Sequence, residues 1–192
     1  MKILVISDIH GSASALRTAL ESFPEFDLLV LCGDYLNHGP RNPLPEGWDT
    51  KETADILNTL ADKIVCARGN CDSEVDEMML SFPCLAAYTN IVLAQKKAQE
   101  NSVNRIFVHH GHLYDREKLK SWLPANTLVV SSHTHVTVLE KDGGLVFFNP
   151  GSISLPKCAD GKTCGIIEAD EIGVRKISLC SIEGKTIRTL EL

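Results

Sequence analysis

Apolar positions fall along this chain in two patterns, and the two alternate. Short runs rich in β-branched residues, at Ile3–Ile6, Asp27–Cys32, Lys63–Ala67, Arg105–Val108 and Thr127–Ser131, are too short for helices and predict buried strands. Between them lie segments with apolar residues three and four apart. Ala15, Leu16, Ala19, Leu20 and Phe23 make one such stripe within Ser12–Phe23, and Ala54, Ile56, Leu57 and Leu60 make another within Thr50–Leu60. Ser12 or Ser14 is the candidate cap of the first helix and Thr50 that of the second. Shorter helices are expected at Ser73–Leu80 and Asp115–Trp122, with two strands about a turn in Cys84–Leu93. The polar stretch Gln95–Asn104 predicts an exposed hairpin turn without chemistry. From Val136 onward short strands dominate, at Val136–Glu140, Leu145–Phe148, Thr163–Glu168, Val174–Leu179 and Thr186–Leu190. The alternation predicts an α/β protein.

Composition narrows the class. A length of 192 residues suits a single domain spanning 1–192, and 44% hydrophobic with 23% charged residues is ordinary for a globular chain. The uninterrupted apolar runs are strand-length, so no membrane association is expected. Asp8 and His10 interrupt the first apolar run where a signal peptide would continue it, and seven cysteines without a C-x-x-C pair fit a reducing compartment. The expected location is the cytoplasm. A net charge of −6 argues against a broad basic face for nucleic acid, although Lys96-Lys97 is a local basic spot. It does not exclude a phosphate substrate, because bound divalent cations reverse the local field of a carboxylate-lined site.

Chemistry-bearing residues gather where the strands end. Asp8 and His10 follow the first strand, Asp34 the second, Asn70 the third, His110 the next, and His133 and His135 the one after. Two residues apart on extended backbone, Asp8 and His10 are expected to point the same way. Each residue alone has a local explanation: an Asp capping a helix, an Asn or Asp in a turn, a packed His. Five strand ends carrying metal-type ligands in one chain point instead to a shared site in the crevice beyond the strand C-termini. The loop Tyr35–Asp49, with three prolines and two glycines, is too long and irregular for a mere connection.

The order Asp8-Ile9-His10, Gly33-Asp34, Gly69-Asn70, His110-Gly111 and His133-Thr134-His135 resembles the calcineurin-like metallophosphoesterases over residues 1 to about 152. Leu36-Asn37-His38-Gly39-Pro40-Arg41-Asn42 and Cys71-Asp72-Ser73-Glu74 look like the small YfcE-type bacterial phosphodiesterases of that family. The resemblance implies a four-layer α/β/β/α sandwich with mixed sheets and a binuclear metal centre. Asp8, His10, Asp34 and His135 would hold one ion and Asp34, Asn70, His110 and His133 the other, with Asp34 as bridge. Manganese is the first expectation, and oxygen and imidazole donors also suit iron, zinc or nickel. Magnesium alone suits four histidines less well.

The implied activity is hydrolysis of a small phosphodiester by a hydroxide bridging the ions, with Asp34, Asn70 and His110 at the reacting centre. Alternatives are a phosphomonoesterase, a nuclease, or a non-catalytic interaction scaffold of the same fold. Arg41, His38 and Asn149 are candidate substrate contacts, and a homodimer or homotetramer is expected. Two positions depart from the family pattern. Cys71 stands where many members have a leaving-group histidine, which leaves His38, His109 and His112 as other candidates. Ser132 replaces a glycine before His133, a strained exchange only if its φ is positive. Cys32 and Cys66 are expected in the core.

Overall fold

The structure, a computed structural model, describes residues 1–96 and 100–192. In chain order its elements are β1 (Lys2–Ile6), α1 (Ala13–Ser22), β2 (Leu28–Leu31), α2 (Thr50–Asn58), β3 (Ile64–Cys66), α3 (Glu74–Met79), β4 (Tyr88–Val92) and β5 (Arg105–His109). They continue with α4 (Arg116–Trp122), β6 (Thr127–Val130), β7 (Val138–Asp142), β8 (Leu145–Asn149), β9 (Thr163–Ala169), β10 (Val174–Ser181) and β11 (Thr186–Glu191). One sheet has the order β11-β10-β9-β1-β2-β3 and the other β4-β5-β6-β8-β7. In each, three adjacent strands run parallel: β1, β2 and β3 at one end of the first, β5, β6 and β8 in the middle of the second. Antiparallel strands extend the first sheet beyond β1 and the second on both sides.

Alternation along β1 shows how the layers arise. Leu4 and Ile6 face a core shared with Leu16 and Ala19 of α1 and with Ala54 and Leu57 of α2. Ile3 and Val5 point the other way, into a core built with Val108, Val130 and Phe148 from the opposite sheet. A third core joins Phe107, Val129 and Phe147 to Leu119 of α4. Helices, sheet, sheet and helix therefore stack as four layers, and the mixed-sheet sandwich is the observed fold. Cys32 and Cys66 are both buried within it.

Local chemistry sets the helix starts. The Ser12 hydroxyl accepts from the Ala15 amide (3.4 Å), and Asp115 does the same for Lys118 (2.8 Å). For α2 the cap is Asp49, whose carboxylate accepts from the Glu52 amide at 2.8 Å, while Thr50 is already the first helical residue. Asp49 is extended, with φ −153°, as an N-cap must be. Cys84–Leu93 contains one strand rather than two. Its first half runs irregularly behind Pro83, which has no amide to pair, and the Ala86 carbonyl accepts from the Arg68 amide instead of a sheet neighbour. The strand expected at Val136–Glu140 lies two residues later. Residues 97–99 of the expected Gln95–Asn104 turn lie outside the described residues; Gln95 itself is bonded to Ser102 and to the Ile172 carbonyl.

His109, at the end of β5, is buried beside the rings of Phe107 and Tyr114, with centroids 5.6 and 5.9 Å away. Its Nδ1 has no hydrogen-bond partner. Burial, reinforced by His110 and His112, pushes its pKa down to about 4. In the unfolded chain the imidazole takes a proton near its ordinary value of 6.5, so between pH 6.5 and about 4 only the unfolded state binds it. This group should cost about 3 kcal/mol of stability across that window, with no further loss below it. Urea denaturation from pH 7.5 to 4 checks this: His109→Phe should flatten that part of the profile, and an identical acid slope in the variant would show that other groups set it.

Candidate metal centre

The loops after β1 and β2 are laced together by backbone bonds. The amides of Asp8, His10 and Gly11 donate to the carbonyls of Gly33, Asp34 and Tyr35 at 3.2, 2.9 and 2.9 Å. This lacing changes how Asp8 and His10 converge. Both lie beyond β1 with left-handed backbones, φ 50° and 49°, rather than the extended conformation that their spacing suggested. Asp34 (55°), His133 (70°) and His135 (58°) share that conformation. Among the described non-glycine residues only Asn101 and Asn126 join them. Each such residue costs on the order of 1–2 kcal/mol, and clustered strain of this kind marks functional sites. Ser132 is not among them, so the serine fits without strain.

Gly33 and Gly69 make room for Asp34. A Cβ on Gly69 would sit 2.0 Å from Asp34 Oδ1, and one on Gly33 would sit 2.5 Å from the Gly69 amide. Asp72 binds the two loops together: its carboxylate accepts from the amides of Asp34 (2.8 Å), Tyr35 (2.8 Å) and Gly69 (2.6 Å). Burial and the Asp34 charge push Asp72 up to about 7, against the pull of those three donors. The hydroxyls of Ser152 and Ser154 both donate to the Asp8 carbonyl, at 2.8 and 2.9 Å.

The histidine tautomers follow from carbonyl partners. His10 Nδ1 lies 2.8 Å from the Asn37 oxygen, His110 Nδ1 2.6 Å from that of Cys32, and His135 Nδ1 2.5 Å from that of Leu155. A carbonyl only accepts, so each Nδ1 carries a proton, and in the neutral imidazole each Nε2 turns its lone pair inward. His10 Nε2 and His135 Nε2 stand 3.2 Å apart, and Asp8 Oδ1 lies 3.3 Å from the latter and 3.9 Å from the former. Asp8 Oδ1 is buried without a hydrogen-bond partner, while Oδ2 accepts from Ser7. Converging lone pairs with no proton between them fit a cation.

On the other side of Asp34, Oδ2 lies 3.4 Å from His110 Nε2 and 3.8 Å from His10 Nε2, so this carboxylate reaches toward both histidine groups. Asn70 Oδ1 is 3.1 Å from His110 Nε2, and the His133 ring is 5.1 Å from that of His110. Burial works to raise Asp34, yet His110 and the Cys71 amide hold it well below the usual carboxylate range. Burial likewise works to lower His110, but Asp34 and Asp8 carry it up to about 9. Burial lowers His10 and His133. Every ligand expected from the sequence is therefore gathered here, and the donor set fits divalent ions.

The remaining candidates divide. Arg41 lines the same cavity of about 500 Å³ as Asp34, Asn70, His133 and His135. His38 lines a neighbouring cavity of about 320 Å³, its ring edge-on to Trp48. Asn149 is buried behind the ligand loop, donating to the Ser132 carbonyl (3.0 Å) and Thr134 hydroxyl (3.2 Å) and accepting from the Gly151 amide, so its amide is fully used as a brace. His109 faces away, whereas the His112 ring lies 5.3 Å from His110. The Cys71 amide donates to Asp34 Oδ1 (2.9 Å), and burial with the Asp34 charge pushes its thiol up to about 12.

Sequence reasoning did not reveal what the supporting residues do. Asp72, Ser152 and Ser154 act through backbone groups that no spacing reveals. The Ser132 hydroxyl lies 2.8 Å from His110 Nδ1 and donates to the Cys32 carbonyl (2.6 Å), so it shares the acceptor that orients His110. Lys157, also in the cavity wall, had only its position after Pro156 to signal it.

Residues 1–171 match the family model described as the calcineurin-like phosphoesterase superfamily domain. The chain is 43% identical to phosphodiesterase YfcE of Escherichia coli over 176 residues, covering 91% of each protein. The solved structure of that E. coli phosphoesterase superposes with a TM-score of 0.85 at 39% identity, covering 100% of this chain and 99% of the other. Vps29 of Entamoeba histolytica, solved in complex with Zn2+, shares the fold at 20% identity and a TM-score of 0.65, over 100% of this chain and 99% of its own. Its fold, its buried carboxylate and imidazole cluster and these likenesses together establish that the chain belongs to the calcineurin-like phosphoesterase superfamily.

Proposed function

We propose that this protein is a metal-dependent phosphodiesterase that hydrolyses small phosphodiesters at a centre for two divalent ions. The observation that carries the reading is the meeting of inward Nε2 lone pairs with the partnerless Asp8 Oδ1, beside an Asp34 carboxylate within 3.8 Å of histidines on both sides. When bound, divalent ions supply charge stabilisation for the phosphoryl oxygens and a water acidic enough to act as nucleophile. Manganese, iron, zinc and nickel all suit these donors, manganese being the first choice to test.

The chain's own residues do the rest. Asp8, His10 and His135 define one ligand group; Asp34, Asn70, His110 and His133 define the other, with Asp34 shared. Arg41, exposed in the cavity wall, presents a planar fork matched to a phosphate. A cavity of about 500 Å³ is of small-molecule size, which favours a small diester over a nucleic acid. The described cysteines are all free thiols, in keeping with a reducing cytoplasm. The intact ligand set weighs against a purely non-catalytic scaffold.

Hydrolysis of bis(p-nitrophenyl) phosphate, p-nitrophenyl phosphate and DNA with each metal tests the reading, and the diester should be turned over best. Asp34→Asn should lower diester turnover at least about a hundredfold and reduce the bound metal measured by atomic absorption. A variant with wild-type metal content and rate would remove the centre from the mechanism.

Leaving-group protonation should be weak, because a thiol pushed up to about 12 is a poor acid beside an imidazolium. Across a series of aryl methyl phosphodiesters, kcat/KM should fall steeply as the pKa of the departing phenol rises. A flat dependence would mean that an efficient proton donor serves the site.

A further inference from the structure

The cavity wall carries one cation more than a simple diester needs. Arg41 and Lys157 both line it, together with Asp34, Asn70, His133 and His135. A diester phosphate carries a single negative charge, and Arg41 is shaped to meet it. Neither basic side chain has a hydrogen-bond or ion-pair partner among the described residues. Elsewhere the exposed cations are commonly paired: Arg17 with Glu52, Arg116 with Glu140, and Lys162 with Glu46. The carboxylate nearest to Lys157 in sequence, Asp160, is occupied by the Arg188 guanidinium at 2.6 Å and by the Thr137 hydroxyl.

Lys157 is also held in register with the centre. Its amide donates to the His135 carbonyl at 3.0 Å, and two residues earlier the Leu155 carbonyl accepts from His135 Nδ1 at 2.5 Å. The Arg41 loop is tied in the same manner, since the Asn37 carbonyl accepts from His10 Nδ1 at 2.8 Å and Asn42 is bonded to the His38 carbonyl at 2.8 Å. The two loops that orient His10 and His135 thus each deliver one cation to the cavity.

We propose that Lys157 anchors a second anion subsite, and that the preferred substrate is a phosphodiester whose organic arm bears a further anionic group, a carboxylate or a phosphate. This rests on the phosphodiesterase reading above. The lysine suits the role: a compact point charge on a flexible stem follows an arm of variable length, where a guanidinium would fix one geometry.

Three p-nitrophenyl phosphodiesters test it, differing only in a propyl, a 2-carboxyethyl or a 2-(phosphonooxy)ethyl arm. The metal-loaded protein should show kcat/KM about tenfold higher for at least one anionic arm than for propyl, the typical worth of one charge-assisted contact. The larger preference identifies the anion. Lys157→Met should collapse that ratio to near one by losing activity chiefly on the anionic ester, and Lys157→Arg should restore most of it. Equal rates on all three arms in the wild type, or an equal fall on all three in Lys157→Met, would overturn the subsite. Should none of the esters be hydrolysed, the phosphodiesterase reading itself fails. Calorimetric binding of the same intact esters then decides the subsite, with equal affinities counting against it.

Discussion

Asp8 and Asp34, two of the buried carboxylates, meet at the strand ends without a lysine or arginine beside them, and much of the structure there follows from that. Asp8 and Asp34 are at most 2% exposed, and their only ion-pair partners among the described residues are histidines. Such a burial is costly unless compensated. The molecule compensates in part with donors: Ser7 to Asp8, the Cys71 amide to Asp34, and a His110 whose pKa is carried up to about 9. The remaining deficit, marked by the partnerless Asp8 Oδ1, is what a divalent cation would fill.

Holding donors in that arrangement requires backbone conformations that side chains disfavour. Five of the expected ligands are left-handed, and the compensation is the hydrogen-bonded lacing of loops from both sheets. Asp72 is central to it. One buried carboxylate accepts from three amides and so fixes the segment carrying Asp34 against the one carrying Asn70. The same economy appears at the histidines, where three backbone carbonyls engage Nδ1 and make Nε2 the nitrogen that coordinates once neutral.

Around this rigid centre the chemistry becomes more variable. Cys71 occupies a position where burial, with the Asp34 charge, holds its thiol protonated. Arg41 and Lys157, brought by separate loops, give the cavity a cationic wall that contrasts with the chain's net charge of −6. These two side chains share the cavity wall with the expected ligands but hang from different loops.

Much of this was legible in the order of residues. Short β-branched apolar runs specified the buried strands and three-and-four apolar spacing the helices, because burial demands those patterns, and the ligands were visible because they recur at strand ends in a fixed order. Asp49 rather than Thr50 at the start of α2, and a single strand in Cys84–Leu93, show the limit of local signals. What Asp72, Ser132, Ser152 and Ser154 do was not legible, because they act on backbone groups of segments up to 146 residues away. The left-handed conformation of Asp8 and His10 escaped for the same reason: it is imposed by Gly33 and its neighbours across the sheet, not by the residues' own preferences. The sequence by itself determined which atoms are available to bind a cation. Only the tertiary structure decided where their lone pairs point, because that depends on carbonyls and amides supplied by distant segments.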